Sequence, residues 1–332
     1  MIKKKILFVF QSPSVFVLKD LNILKLNYEV TAIQFDRPSR VLPLLLEIRR
    51  TDLVFCWFGK LPAFFAVLFA RIFRKKSIVV GGGDCVSART QTGRPYEVFS
   101  NFWKGLLVRW LFKNTDKIFA VSEFSRAELL KNVGVKMGKT ALVYHGFDEK
   151  TFIRGKSPKD KIAVTIGTLW KEDYIRKGYV HFIECARRMP DYIFYLVGPQ
   201  MDSYLEKHEI LPGNLRLLDR GLYGNFLIEL LNLASVYVQL SEWETFGCAV
   251  AEAMLCECVP IVSRYGALPE VVGDCGFYVD SFNPLEVSAA VRTAYYRQKE
   301  IGPKARKRII EKFPLEKREE KLIALTGGVL KR

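Results

Sequence analysis

Short runs of β-branched and large apolar residues recur along this chain, and between most of them lies a stretch with the spacing of a helix. Residues 6–10 (ILFVF), 28–33, 53–56, 77–80 and 117–122 read as strands, with helices over 15–26 and 62–76 between them. The rhythm resumes later, with strands over 162–167, 192–198, 215–218, 236–240 and 259–262 and helices over 247–255, 283–298 and 303–311. Strand, helix, strand in succession needs crossover connections, so the expected class is α/β with doubly wound parallel sheets. At 332 residues the chain is too long for one ordinary core, and two domains are expected. The break falls in 151–161, rich in Lys, Gly, Pro and Ser, which suits a linker.

Composition agrees with packed domains: 49% hydrophobic and 26% charged residues exclude a disordered chain. Seven scattered cysteines without a C-x-x-C pair, and three histidines, speak against a zinc site and for reduced, buried thiols in a cytoplasmic protein. Residues 1–5 lead straight into a strand, unlike a signal peptide. The longest apolar run, 63–70, is far short of the ~20 residues that cross a bilayer.

Charge changes the picture more. The net +16 is uneven: residues 1–155 carry 26 Lys+Arg against 12 Asp+Glu, while 156–300 carry 15 against 19. A basic first half suggests an anionic partner, either a membrane surface or nucleic acid; solvated lysine-rich faces are the plainer alternative. Residues 101–113 (NFWKGLLVRWLFK) sharpen the membrane option. Phe102, Trp103, Leu106, Leu107, Trp110 and Leu111 can share a helical face with Lys104, Arg109 and Lys113 off it, as in a helix lying among lipid headgroups. An ordinary helix packing that face on the sheet would read the same way. Residues 71–76 add a second basic cluster.

The densest chemistry lies in 241–274. Glu244 stands just past the strand 236–240, and Glu252 follows with seven residues between them. Carboxyl ends of parallel strands are where open α/β sheets bind ligands. A helix opening at Phe246, Gly247 and Cys248 offers free amides and a positive dipole end to a phosphate, and Gly247 lets the backbone come close. Each carboxylate can accept from two vicinal hydroxyls, as on a ribose or a hexose, and a nucleotide sugar carries both around one diphosphate. Two ordinary surface glutamates are the plainer alternative. A further strand end carries Gly82, Gly83 and Asp84, where the backbone could pass close to a ligand and Asp84 could bind hydroxyls; a tight turn with a capping aspartate explains it equally well.

The longer string is more specific. Glu244 and Glu252 at this spacing, with Phe246-Gly247 inside, Ala253-Met254 following, then Pro260 and residues 266–270 (GALPE), resemble the signature of retaining glycosyltransferases of family 4. Glu257 departs from it, standing where glycine is usual. The resemblance implies the GT-B fold: two Rossmann-like domains facing across a cleft, with a final helix returning to the first. On that pattern the domains are 1–155 with 313–332, the acceptor side, and 156–312, the donor side. It implies that Glu244 contacts donor-sugar hydroxyls and Glu252 the ribose, with Thr245, Phe246, Gly247, Cys248, Gly167 and Gly198 lining the donor. Lys177 matches the lysine that holds the diphosphate. Thr168 stands where an arginine is expected, so that role passes to Arg176 or Lys171. Opposite, Gly82, Gly83, Asp84 and His145 form the acceptor side, although Gly83 replaces a histidine common in relatives.

The reaction this resemblance implies is a retaining, metal-independent hexosyl transfer from a nucleotide-diphospho-sugar, with Glu244, Lys177 and Asp84 as the catalytic set and no cofactor. The expected acceptor is a glycan or lipid-linked sugar at the cytoplasmic, inner face of a membrane. Rival readings are a non-catalytic nucleotide-sugar-binding protein of the same fold and, ranked lower, a nucleic-acid acceptor or an epimerase.

Overall fold

The computed structural model describes residues 3–86, 101–168, 171–198, 210–218, 224–280 and 282–331, with the backbone alone at 84 and 171–173. The chain forms two compact units, Met1–Gly146 with Leu315–Arg332, and Phe147–Pro314.

The first unit contains β1 (Lys5–Phe10), α1 (Val15–Asn27), β2 (Glu29–Gln34), α2 (Val41–Arg49), β3 (Leu53–Trp57), α3 (Leu61–Ile72) and β4 (Lys76–Gly81). After these come α4 (Phe102–Asn114), β5 (Lys117–Ala120), α5 (Glu123–Glu128) and β6 (Thr140–Leu142). Its sheet runs β2-β1-β3-β4-β5-β6, and its pairings are parallel. β3 is buried along its whole length and β1 everywhere but Lys5, as expected when helices cover both faces of a parallel sheet. Phe8 stacks on Phe55 at 5.4 Å within that core.

Helix α4 uses its apolar residues differently from the single face expected for 101–113. Gly105, Val108, Leu111 and Phe112 are buried, whereas Phe102, Trp103, Leu106 and Leu107 are exposed. Leu111 therefore belongs to the inward stripe, because the core selects the positions spaced three and four apart that begin at Gly105.

The second unit contains β7 (Asp160–Ile166), α6 (Lys171–Arg176), α7 (Tyr179–Arg188), β8 (Ile193–Val197), β9 (Leu215–Leu218), α8 (Asn225–Leu233) and β10 (Ala234–Gln239). It continues with α9 (Cys248–Leu255), β11 (Val259–Ser263), α10 (Leu268–Val272), β12 (Phe277–Val279), α11 (Pro284–Tyr296) and α12 (Gln298–Lys312). The sheet order is β12-β11-β10-β7-β8-β9, parallel throughout the described pairs. From β7 the chain builds outward through β8 and β9, then returns to add β10, β11 and β12 on the other side. The switch of direction lies between β7 and β10, which opens a crevice at their carboxyl ends.

Several boundaries differ from the sequence pattern; the helix expected over 62–76, for one, ends at Ile72. Helix α12 begins at Gln298, five residues before the Pro303 expected to open it. Pro303 cannot donate to the Lys299 carbonyl, but Lys299 is exposed, so water can serve that oxygen and the helix survives. Residues after Gly146 pack with the second unit ahead of the linker: Phe147 stacks on Phe246 at 5.9 Å, and Arg154 pairs with Glu257 at 3.2 Å.

The last helix, α13 (Leu315–Leu330), belongs to the first unit. It is fastened by Arg318, whose guanidinium grips both oxygens of Asp20 on α1 at 2.7 Å. Both side chains are almost wholly buried, and Trp57 Nε1 donates to the same carboxylate at 3.1 Å. Arg318 also donates to the carbonyls of Val143 and Tyr144, so every strong group in the cluster is matched.

Candidate active site

The site is built at the β7/β10 switch. On strand β10 the polar side chains of Tyr237 and Gln239, two residues apart, are both buried and on one face. Burial pushes the Tyr237 phenol well above its ordinary pKa, with Glu244 and Glu252 both adding to that push, so the hydroxyl stays protonated. It donates to Gln239 Oε1 at 2.9 Å, which turns the amide nitrogen toward Glu244. Glu244 Oε1 accepts from Gln239 Nε2 at 2.7 Å, from Ser241 Oγ at 3.2 Å and from Lys177 Nζ at 2.8 Å. Three donors thus converge on one carboxylate oxygen. Among the described residues none is directed to Oε2, which leaves that oxygen as an acceptor for a ligand hydroxyl.

The pair is nearly enclosed, with the Lys177 and Glu244 side chains 15% and 14% exposed. Burial pushes the Glu244 carboxyl up, but the charges of Lys177 and Arg176 and the hydrogen bonds from Lys177 and Ser241 outweigh it. The net result lies below the usual carboxylate range, so Glu244 is an anion near neutral pH.

Backbone packing sets this geometry. Gly178, at φ +72°, lies against β10's exit: a Cβ there would stand 2.3 Å from Leu240 O. Gly266, at φ +65°, lies against Glu244, where a Cβ would stand 2.3 Å from its carbonyl oxygen and 2.6 Å from its nitrogen. The Ala267 amide donates to that carbonyl at 2.9 Å, and the Glu242 amide donates to Arg176 O at 2.7 Å. Loops after β7, β10 and β11 are in this way locked to one another.

The other expected donor-side residues fall around this centre. Gly167 and Thr168 follow β7; Thr168 O accepts from Tyr179 Oη at 3.0 Å, and Arg176 ends α6 beside Lys177. Gly247 precedes α9 at φ +98°, Cys248 opens that helix half-buried, and Glu252 lies half-buried one turn along it. Thr245 is half-buried. Phe246 points into the core, against Phe147 and, at 5.3 Å, Phe313, so its backbone alone is available to a ligand. Gly198 follows β8, its amide donating to Leu218 O at 2.9 Å. The Lys171 side chain lies outside the described residues. Sequence reasoning missed Tyr237, Gln239, Ser241, Gly178 and Gly266 as site residues. The signal for Gln239 was a polar amide inside an apolar strand.

On the first unit, Gly82 and Gly83 follow β4, and Gly83, at φ +70°, faces the Phe58 ring. The Asp84 side chain lies outside the described residues. His145 is buried, stacked on Trp57 at 5.9 Å and edge-on to Phe16 at 5.1 Å. Burial, then the charges of Arg318 and Lys19, hold its imidazole well below the ordinary pKa, so it is neutral. Among the described residues no group of His, Cys, Asp and Glu could hold a metal ion, and no helix is long and apolar enough to cross a membrane.

A family model described as glycosyl transferases group 1 matches residues 146–314, just over half of the chain and the whole switch-point site. The chain belongs to that family. Among curated relatives, N-acetyl-alpha-D-glucosaminyl L-malate synthase from Bacillus anthracis is 27% identical over 235 residues, covering 64% of this chain and 59% of that protein. MMP alpha-(1->4)-mannosyltransferase from Mycolicibacterium hassiacum is 27% identical over 246 residues, covering 66% and 58%. The matches thus span less than two thirds of either relative. Among solved structures, Anabaena HepE in complex with UDP and glucose superposes with a TM-score of 0.81 at 17% identity, covering 98% of this chain and all of that one. A glycosyltransferase from Rickettsia africae gives 0.76 at 16% identity, covering 99% of both. Two six-stranded parallel sheets with these neighbours make the fold GT-B.

Proposed function

We propose that this group 1 glycosyl transferase is a retaining, metal-independent enzyme of the family 4 type, moving a hexosyl group from a nucleotide-diphospho-sugar to a glycan or lipid-linked acceptor at a membrane face. The observation that carries the donor half is the Glu244 carboxylate: one oxygen saturated by Lys177, Gln239 and Ser241, the other open to a sugar hydroxyl. A carboxylate held anionic in this way orients a sugar without needing to move a proton itself.

Lys177 has three N–H donors and, among the described residues, directs one to Glu244, which leaves two for a diphosphate. With Arg176 beside it and the amides opening α9, Lys177 would balance the charge that builds as the sugar–phosphate bond breaks, the part a divalent cation plays in other transferases. Glu252 is assigned to the ribose. The acceptor hydroxyl would attack from the face the diphosphate leaves, with a departing phosphate oxygen taking its proton, so the sugar keeps its anomeric configuration. The solved neighbours holding UDP and UDP-glucose make uridine donors the first to try.

One feature favours a second reading, a nucleotide-sugar binder without transfer: the resemblance to family 4 implies a histidine at the place that Gly83 takes, and this chain has glycine there. A thermal-shift panel of UDP, GDP, ADP and their sugars tests the donor, since a ligand at ~100 times its dissociation constant adds about 2.7 kcal/mol. Stabilisation by a nucleotide sugar, with hydrolysis or transfer that persists in EDTA and yields the retained anomer, supports the enzyme. Stabilisation without turnover leaves the binder, and no stabilisation by any nucleotide overturns both.

A further inference from the structure

Helix α4 is apolar on two sides. Its buried stripe satisfies the core, so the exposed Phe102, Trp103, Leu106 and Leu107 are not needed for packing. Their exposures of 69%, 73%, 41% and 39% form one patch over the first turn and a half, with Lys104 at its rim. Phe102 and Trp103 support each other edge to face at 5.5 Å. Leaving four large apolar side chains in water costs free energy that a soluble surface would avoid, so a contiguous patch of this kind marks a contact site.

Position and charge say what covers it. Helix α4 leads into β5, so it runs back from the carboxyl edge of the sheet, and its first turn lies at the edge where Gly82 and Gly83 follow β4. Helix α3 runs alongside, joined through Phe64 and Trp110 at 5.1 Å, and brings the exposed Leu61 to the same edge. The unit bearing the patch carries 29 Lys+Arg against 13 Asp+Glu, while the other unit carries 22 of each. All of the chain's net charge of +16 therefore resides on the unit with the apolar tip.

We propose that the first turns of α4 insert into the headgroup layer of an anionic bilayer, with the basic unit held against its surface. Trp103 suits that layer, with an apolar ring at the acyl boundary and its indole N–H among the headgroups, Phe102 and the leucines add apolar area, and each nearby cation adds attraction to anionic lipid. A protein partner would have to be both acidic and apolar to fit the same surface. The placement rests on the reading of a membrane-facing acceptor and would bring a lipid-linked sugar to the Gly82–Gly83 edge.

The test is flotation of the whole chain with phosphatidylcholine vesicles, with and without added phosphatidylglycerol, at physiological salt. Co-flotation that depends on the anionic lipid is expected, together with a drop of at least roughly tenfold in Phe102→Ser/Trp103→Ser. The exposed positions should leave the melting temperature and the nucleotide-induced shift unchanged. No binding to anionic vesicles, or equal binding by the double variant, overturns the proposal. Flotation involves no sugar chemistry, so its failure is distinct from a failure to bind nucleotide.

Discussion

The Cβ that Gly266 lacks would stand 2.3 Å from the carbonyl oxygen of Glu244, so a residue beyond β11 is pressed onto the backbone of the site's central carboxylate. Gly266 also adopts φ +65°, which side chains resist. Gly266→Ala should therefore cost roughly 1–3 kcal/mol in strain and displace Glu244, abolishing stabilisation by nucleotide sugar. Gly213→Ala, with nothing within 4 Å of its Cβ, should stay within about 0.5 kcal/mol in the same urea titrations.

Lys177 and Glu244 form an enclosed pair, and removing one charge strands the other. Lys177→Met and Glu244→Gln should each destabilise the fold, with a coupling energy of about 1–3 kcal/mol in a double-mutant cycle. Because the Glu244 pKa is lowered in the fold, the pair's contribution is complete above the ordinary carboxylate range and fades as pH falls through the lowered value. Wild type and Glu244→Gln should converge in stability at acid pH; a constant gap would contradict the ionised pair.

Asp20 and Arg318 are a harsher case, because both are buried. Arg318→Met should cost about 3–5 kcal/mol by leaving the Asp20 carboxylate unpaired, and adding Asp20→Asn should recover part of that loss. Unfolding followed by tryptophan emission, with Trp57 bonded to Asp20, reads the effect directly.

His145 gives a pH dependence of its own. Its folded pKa lies below the ordinary value, so the unfolded chain takes up the proton first, and stability falls as pH drops below about 6.5. In His145→Asn the stability slope between pH 6.5 and the lowered value should flatten. An unchanged slope would mean that the imidazole already carries its proton in the fold.

How much of this was legible depends on range. The alternation of apolar runs located most strands, because burying a parallel strand on both faces leaves a continuous apolar signature. The three-residue β12 and the interior Pro303 of α12 left no such mark, since they are held by neighbouring elements. Glu244, Glu252 and Lys177 stood out because a local string fixes their spacing from a strand end. Gln239, Ser241 and Gly266 did not, because their importance lies in which atom they touch.

The amino-acid sequence by itself determined the two-sheet α/β class, the charge imbalance and the strand-end position of Glu244, all consequences of short-range pattern and composition. Only the tertiary structure decided that β7 and β10 are neighbours, which brings Lys177 to a carboxylate 67 residues away. It also decided which apolar stripe of α4 faces the core and which faces water. Pairing across a sheet and the choice of a helix's buried face depend on the shapes of distant segments, and no local stretch of sequence contains them.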